Sequence, residues 1–221
     1  MNNKIISAEG LTKIYRRGSE KLYALKEVSF TISYGEFVAI VGPSGSGKTT
    51  LLNLLGCLDT PTRGRLIVNG VEVNNLKEKY LVKLRRENIG FVFQHFFLLP
   101  TLTVRENIEL PLLFSRNDGN KRKMDEIIEA IGLKSRVGHL PNQLSGGEMQ
   151  RVAIGRALIN NPRIILADEP TGNLDSATAH KIFELFQSLN NQGLTLIIVT
   201  HNIELANMAR KVIRLKDGEI V

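Results

Sequence analysis

Gly42-Pro43-Ser44-Gly45-Ser46-Gly47-Lys48-Thr49 is the stretch from which the rest of this 221-residue chain is read. It fits the template G-x-x-x-x-G-K-[ST], and its setting is right. The apolar run Phe37-Val38-Ala39-Ile40-Val41 precedes it as a strand, and Thr50 to Leu55 follows as a helix. Gly42, Gly45 and Gly47 let the backbone turn tightly, so that successive N–H groups and the helix start point at phosphate oxygens. Lys48 adds a point charge for the β- and γ-phosphates, and Thr49 offers a hydroxyl to magnesium. A chance glycine-rich turn does not place three glycines, a lysine and a threonine in this register.

Other segments extend the same chemistry. Ile164-Ile165-Leu166-Ala167-Asp168-Glu169 is a buried-strand pattern that ends in two carboxylates. Beside a phosphate loop, Asp168 is placed to hold magnesium and Glu169 to polarise an attacking water. Leu194 to Val199 is a further buried strand, ending at Thr200-His201. A histidine at the carboxyl end of a parallel strand lies on the ligand-binding edge of an open α/β sheet. Ile89 to Phe93 is a short strand that stops at Gln94, either a routine polar terminator or a contact to magnesium or water.

Leu144-Ser145-Gly146-Gly147-Glu148 precedes the helical run Arg151 to Asn160. Ser145 and Glu148 have capping-box spacing, and the two glycines expose backbone N–H groups. This is either a second anion site or only a well-capped helix. Thr103 and Glu106 repeat the capping spacing before a helix expected to reach Leu113, and Asp175 reads as the cap of Ser176 to Leu189, whose Phe183, Phe186 and Leu189 face a core.

The remaining segments fill in an α/β chain. Ile5 to Glu9 and Val28 to Ser33 read as antiparallel strands about a turn at Gly18-Ser19. Arg65 to Val68 and Val71 to Val73 form a hairpin at Asn69-Gly70. Leu76 to Arg86 and Met124 to Ile131 read as helices, with a polar mobile connection from Arg116 to Lys123. Tyr15, in a polar stretch, is either a packed strand residue or a ring able to stack on a nucleotide base. His95-Phe96-Phe97-Leu98-Leu99-Pro100 is unusually apolar for a loop, so it either joins the core or waits for a partner. Lys211 to Val221 reads as a hairpin that stops within a strand, as in a piece of a longer polypeptide.

With 43% hydrophobic residues the chain can bury a full core. The net charge of +7 is spread among interspersed acids and bases, which fits a solvated surface, then a surface facing anionic lipid, and nucleic acid least. One cysteine, Cys57, excludes a disulfide framework and reads as a buried small side chain in a reducing compartment. No apolar run approaches a membrane span, and the start resembles no signal peptide.

These motifs, in this order and spacing, resemble the ATPase subunits of ATP-binding-cassette (ABC) transporters over nearly the whole chain. The resemblance rests on the P-loop at Gly42 to Thr49, Gln94 in the Q-loop position, Leu144-Ser145-Gly146-Gly147-Glu148 as the signature, Walker B ending at Asp168, then Glu169, Asn173-Leu174-Asp175 and His201. Ile89 to Gln94, Leu98-Leu99-Pro100, Glu106-Asn107 and Ala167 to Asp175 resemble the macrolide-exporter, lipoprotein-release and antimicrobial-peptide-detoxification branch. Glu148 stands where many members carry glutamine.

The resemblance implies a P-loop (RecA-like) α/β core, about 1–93 and 161–221, with an antiparallel β subdomain and a helical subdomain at about 94–160. It implies ATP and Mg2+ as cofactors. The nucleotide-contacting set becomes Tyr15, Gly42, Pro43, Ser44, Gly45, Ser46, Gly47, Lys48, Thr49 and Thr50, with Ser145, Gly146, Gly147 and Glu148 acting from a second copy. The catalytic set is Glu169, His201, Gln94 and Lys48, and the metal set Thr49, Gln94 and Asp168. Partners implied are a second copy on ATP binding and a transmembrane permease, separate or fused, docking near Gln94 to Pro100 at the inner face of the cell membrane; no nucleic acid is expected. A regulatory ATPase of a cell-division type shares every one of these residues, and the transported substrate is encoded by none of them.

Overall fold

The computed structural model describes residues 3–114 and 121–221. Its first two strands, β1 (Lys4–Arg17) and β2 (Glu20–Ser33), form a hairpin longer than the sequence reading gave, because the polar residues on either side of Gly18-Ser19 continue the pairing. β3 (Phe37–Val41) leads into α1 (Lys48–Leu55). β4 (Arg63–Val68) and β5 (Val71–Glu72) then complete a four-stranded antiparallel sheet of order β2-β1-β4-β5.

Next come α2 (Glu78–Asn88) and β6 (Ile89–Phe93). α3 (Val104–Glu109) carries the full capping box of Thr103 and Glu106, but it passes into a tighter 3-10 turn at Leu110–Phe114, since Pro111 lacks the N–H that would continue it. α4 (Lys121–Ala130) starts earlier than expected; of the connection read at Arg116 to Lys123, residues 116–120 lie outside the described residues. α5 (Gly146–Leu158) also starts earlier than read, at its cap rather than at Arg151. β7 (Ile164–Asp168), α6 (Ser176–Asn191), β8 (Thr195–Val199), the single turn α7 (Ile203–Ala206), β9 (Lys211–Lys216) and β10 (Glu219–Ile220) complete the chain.

The second sheet has the order β10-β9-β3-β8-β7-β6, parallel throughout except for β10. Its central strands are buried on both faces, which is why they read as unbroken apolar runs. Alternation sorts their side chains. Ile164, Leu166, Ile197 and Val199 pack with α1 and the antiparallel sheet, whereas Ile165, Ala167, Leu196 and Ile198 pack with α5 and α6. The second cluster also takes in Val104, Ile108, Met124 and Ile128, so the helices of the middle segment share one apolar layer with α6. Cys57 is fully buried, and burial pushes its thiol up to about 12. Among the described residues no helix is long and apolar enough to cross a membrane.

The loop after β6 resolves its two readings residue by residue. Leu98 packs on the core and Phe96 is half-buried, while Phe97 is 62% and Leu99 43% exposed. Phe96 and Phe97 both take left-handed backbone angles, φ 42° and 47°. Arg156 of α5 donates to the Phe96 and Phe97 carbonyls at 2.6 and 2.5 Å, tying this bend to the helix.

Candidate functional site

Because β3, β8, β7 and β6 are parallel neighbours, the residues that follow them emerge along one edge of the sheet. Those residues are Gly42, Thr200-His201, Asp168-Glu169 and Gln94. Crossover topology thus collects motifs that lie far apart in sequence, at the place where open α/β sheets bind ligands.

The glycine loop is wedged between β9 and β2. A Cβ at Gly42 would stand 2.1 Å from the Leu215 carbonyl oxygen, and one at Gly47, with φ 102°, would stand 2.4 Å from that of Ala24. Only glycine fits at either position. The Ser46 N–H donates to the Pro43 carbonyl at 3.2 Å, while the Ser46 side-chain oxygen is buried with no partner among the described residues.

α1 has Gly47 as its N-cap, with no side-chain cap and no acid in its first turn, so its leading N–H groups find no side-chain acceptor among the described residues. Lys48 is only 8% exposed, and its Nζ donates to the Gly42 and Pro43 carbonyls at 2.8 Å each. A buried ammonium held by neutral oxygens beside an uncapped helix start is the donor set that a polyphosphate satisfies.

A cleft of about 520 Å3 opens over this floor, within the usual range for small-molecule sites. It is lined by Gly42, Pro43, Ser44, Gly45, Gly47, Lys48, Thr49 and Thr50, by Tyr15 at one side and by Glu169 and His201 at the other. Leu22, Tyr23 and Ala24 of β2 line it too, and sequence reasoning missed them. Nothing local marks them; they arrive because the long hairpin folds across the loop.

Glu169 has φ 46°, an uncommon value for a side chain of its size, and its N–H donates to the Val199 carbonyl at 2.9 Å. That bend brings its Oε2 to 2.5 Å from His201 Nδ1. The carboxyl of Asp168 is raised above the usual aspartate range, first by burial and then by the charge of Glu169, with Lys48 offsetting part of this. A buried carboxylate short of positive charge is a donor of the kind that a divalent cation takes.

Gln94 is placed differently from expectation. It does not line the cleft, and its Nε2 donates to Asn173 Oδ1 at 3.0 Å while Asn173 Nδ2 donates back to the Gln94 carbonyl at 3.2 Å. Gly172 allows this approach, since a Cβ there would stand 2.7 Å from Gln94 Nε2.

None of Ser145, Gly146, Gly147 and Glu148 lines the cleft. The start of α5 sits against α6, where a Cβ at Gly147 would press on Thr178 Cγ2 at 2.5 Å. It is also capped by its own side chains. Ser145 Oγ accepts from the Glu148 N–H at 3.3 Å, and Glu148 Oε2 accepts from the Ser145 N–H at 2.8 Å. The backbone bond from Ser145 holds the Glu148 carboxyl below the usual range, and Arg136 Nε, 3.2 Å from Oε1, adds to it.

A glycine loop after a parallel strand, an uncapped helix start with a buried lysine, and acids at the end of the strand two places along the sheet define a P-loop nucleoside triphosphatase. Comparison with known proteins narrows this. A family profile described as ABC transporter matches residues 25–172. The chain is 51% identical over 224 residues to an uncharacterized ABC transporter ATP-binding protein, MJ0796, of Methanocaldococcus jannaschii, covering 98% of this chain and 95% of that one. It is 49% identical to the macrolide export ATP-binding/permease protein MacB of Bdellovibrio bacteriovorus, covering 98% of this chain but 33% of that protein. A dimeric post-hydrolysis structure of the MJ0796 cassette bound to ADP and Pi superposes with a TM-score of 0.88 at 49% identity, covering 97% of this chain and 96% of that one. The chain belongs to the ABC transporter family, as one of its ATP-binding ATPase cassettes.

Proposed function

We propose that this cassette binds MgATP in the cleft over Lys48, hydrolyses it only when two copies meet head to tail, and through that closure drives a membrane permease. The observation that carries the reading is the separation within one chain: the buried Lys48 and the uncapped start of α1 sit in the cleft, while the Ser145 start of α5 stands outside it. A second copy supplies what one lacks.

In this reading the N–H groups of Gly45, Gly47, Lys48 and Thr49 bind the β- and γ-phosphates, and the Lys48 ammonium turns from loop carbonyls to phosphate oxygens. Tyr15 carries the base. Mg2+, when bound, would neutralise phosphate charge, and Thr49 and Asp168 would hold it, joined by Gln94 once its side chain leaves Asn173. Glu169 accepts the proton of the attacking water, and His201, hydrogen-bonded to Glu169, orients that carboxylate. Ser145 and Gly147 of the second copy stabilise the γ-phosphate charge that develops in the transition state. The decisive experiment is Glu169→Gln. ATP binding is expected to persist, turnover to fall by about 10²–10⁴-fold, and a dimer to accumulate with ATP in size-exclusion chromatography. Full turnover in that variant ends the reading.

Several observations support docking of a membrane partner beside the Gln94 loop. A groove of about 760 Å3 there is lined by Phe91, Phe93, Phe97, Leu110, Pro111 and Phe114, and by Arg85, Arg86 and Arg156. The related MacB protein carries cassette and permease in one chain, as its name states. The cassette then lies at the cytoplasmic face of the membrane, held there by its partner. Phe97→Asp is expected to abolish copurification with the permease and to leave the ATPase of the isolated cassette intact; retained copurification removes the groove from this role.

A further inference from the structure

Tyr15 is not a free ring on the cleft wall. Its hydroxyl donates to Asp59 Oδ2 at 3.1 Å, and Asp59 Oδ1 accepts from Lys13 Nζ at 2.5 Å. The same ammonium donates to the Thr60 carbonyl at 2.8 Å and stands 5.1 Å from the centroid of the Tyr15 ring. The loop that carries Asp59 is itself stitched to β1: Thr62 Oγ1 accepts from the Ile14 N–H at 3.0 Å, and the Thr62 N–H donates to the Thr12 carbonyl at 2.8 Å.

Three side chains therefore close a clamp between β1 and the segment that leaves α1. Lys13 is mostly buried, with 12% of its side chain exposed, so its charge is committed to Asp59 and not to solvent. Tyr15 is 37% exposed and lines the phosphate cleft. One face of the ring is taken by a cation at a distance typical of cation–π contact, which leaves the other for a flat ligand. A ring fixed in this way offers stacking without first losing rotamer freedom. Since α1 starts at the phosphate floor and Asp59 follows its end, the clamp keys the height of the base platform to the helix that binds the phosphates.

We propose that Asp59 and Lys13 are positioning residues for the nucleobase. They hold Tyr15 with one face covered by the Lys13 ammonium and the other presented to the base of the bound nucleotide. The proposal rests on the reading of Tyr15 as the base platform, and it goes beyond it by assigning two residues that do not themselves line the cleft.

The test is calorimetric titration of the full chain with ADP and, as a probe without a base, inorganic tripolyphosphate. Asp59→Ala and Tyr15→Phe are each expected to weaken ADP binding about three- to tenfold, the range of one well-placed aromatic contact, and to leave tripolyphosphate binding unchanged. The double variant is expected to be no weaker than the worse single one, because both changes open the same clamp. In steady-state hydrolysis the effect falls on KM and not on kcat. Should Asp59→Ala fail to fold, Lys13→Met serves in its place, with the same expectations.

If Asp59→Ala and Tyr15→Phe bind ADP like the parent while Tyr15→Ala binds weakly, the clamp is irrelevant and the inference is overturned, with the role of Tyr15 intact. If Tyr15→Ala also binds normally, both fall. Equal weakening toward tripolyphosphate places Asp59 in the support of the phosphate loop and overturns the inference as well.

Discussion

Two helices of this protein have glycine at their starts, and the chain treats them in opposite ways. α1 follows the N-cap Gly47, with no side-chain cap, no acid in its first turn and the buried Lys48 as its first residue. α5 begins with a closed capping box, a carboxylate in its first turn and an arginine on that carboxylate. An anion meets unsatisfied donors and a positive charge at the first. At the second it must compete with Ser145 Oγ for donors and approach the charge of Glu148. The first has the donors to bind an anion by itself; the second is suited to act only when another surface brings the phosphate to it already bound. That difference would give the proposed dependence of hydrolysis on closure a local cause.

The contrast is open to attack at each end. Lys48→Ala should strike hardest, weakening ATP binding to the isolated chain by about 10- to 100-fold in calorimetry, as expected for loss of a charged hydrogen-bond donor; unchanged affinity would break the account of α1. Ser145→Ala should leave the ATP affinity of the isolated chain as it was and lower turnover by about tenfold, so a loss of affinity instead would make the two helix starts equivalent. Smallest is Glu148→Gln, which keeps the cap geometry and removes the charge. It should tighten ATP-dependent dimerisation by about two- to fivefold, read by analytical ultracentrifugation, and a weaker dimer would show the carboxylate to be favourable there.

Much of this was legible in the sequence, for definite reasons. Strands buried on both faces cannot hide their apolar runs, so β3, β7 and β8 are read within a residue of their bounds, and the motif that follows each is placed with them. Cap chemistry is equally local, which is why Thr103, Ser145 and Asp175 stand where their spacing put them. What escaped is the part that depends on how the sheet is ordered. That His201 meets Glu169 follows from β8 lying beside β7, and no property of either residue shows that adjacency. Leu22 to Ala24 reach the cleft by the fold of a hairpin whose polar residues carry no strand pattern. Gln94 is tied to Asn173 rather than turned into the cleft, a pairing made possible by Gly172. The Phe96 to Leu99 loop defeated a choice between core and surface because successive side chains take one each.

Lys48 also bears on how quickly this protein is ready for its ligand. Its ammonium braces the loop from inside, tied to the Gly42 and Pro43 carbonyls, so the curve of the backbone has a support that the chain itself supplies. In the proposed function the same ammonium then turns from this pair of oxygens to those of the phosphates. A loop supported in this way would take little of the ligand's affinity to shape, and the proposed function then expects encounter rather than loop rearrangement to set the pace of loading.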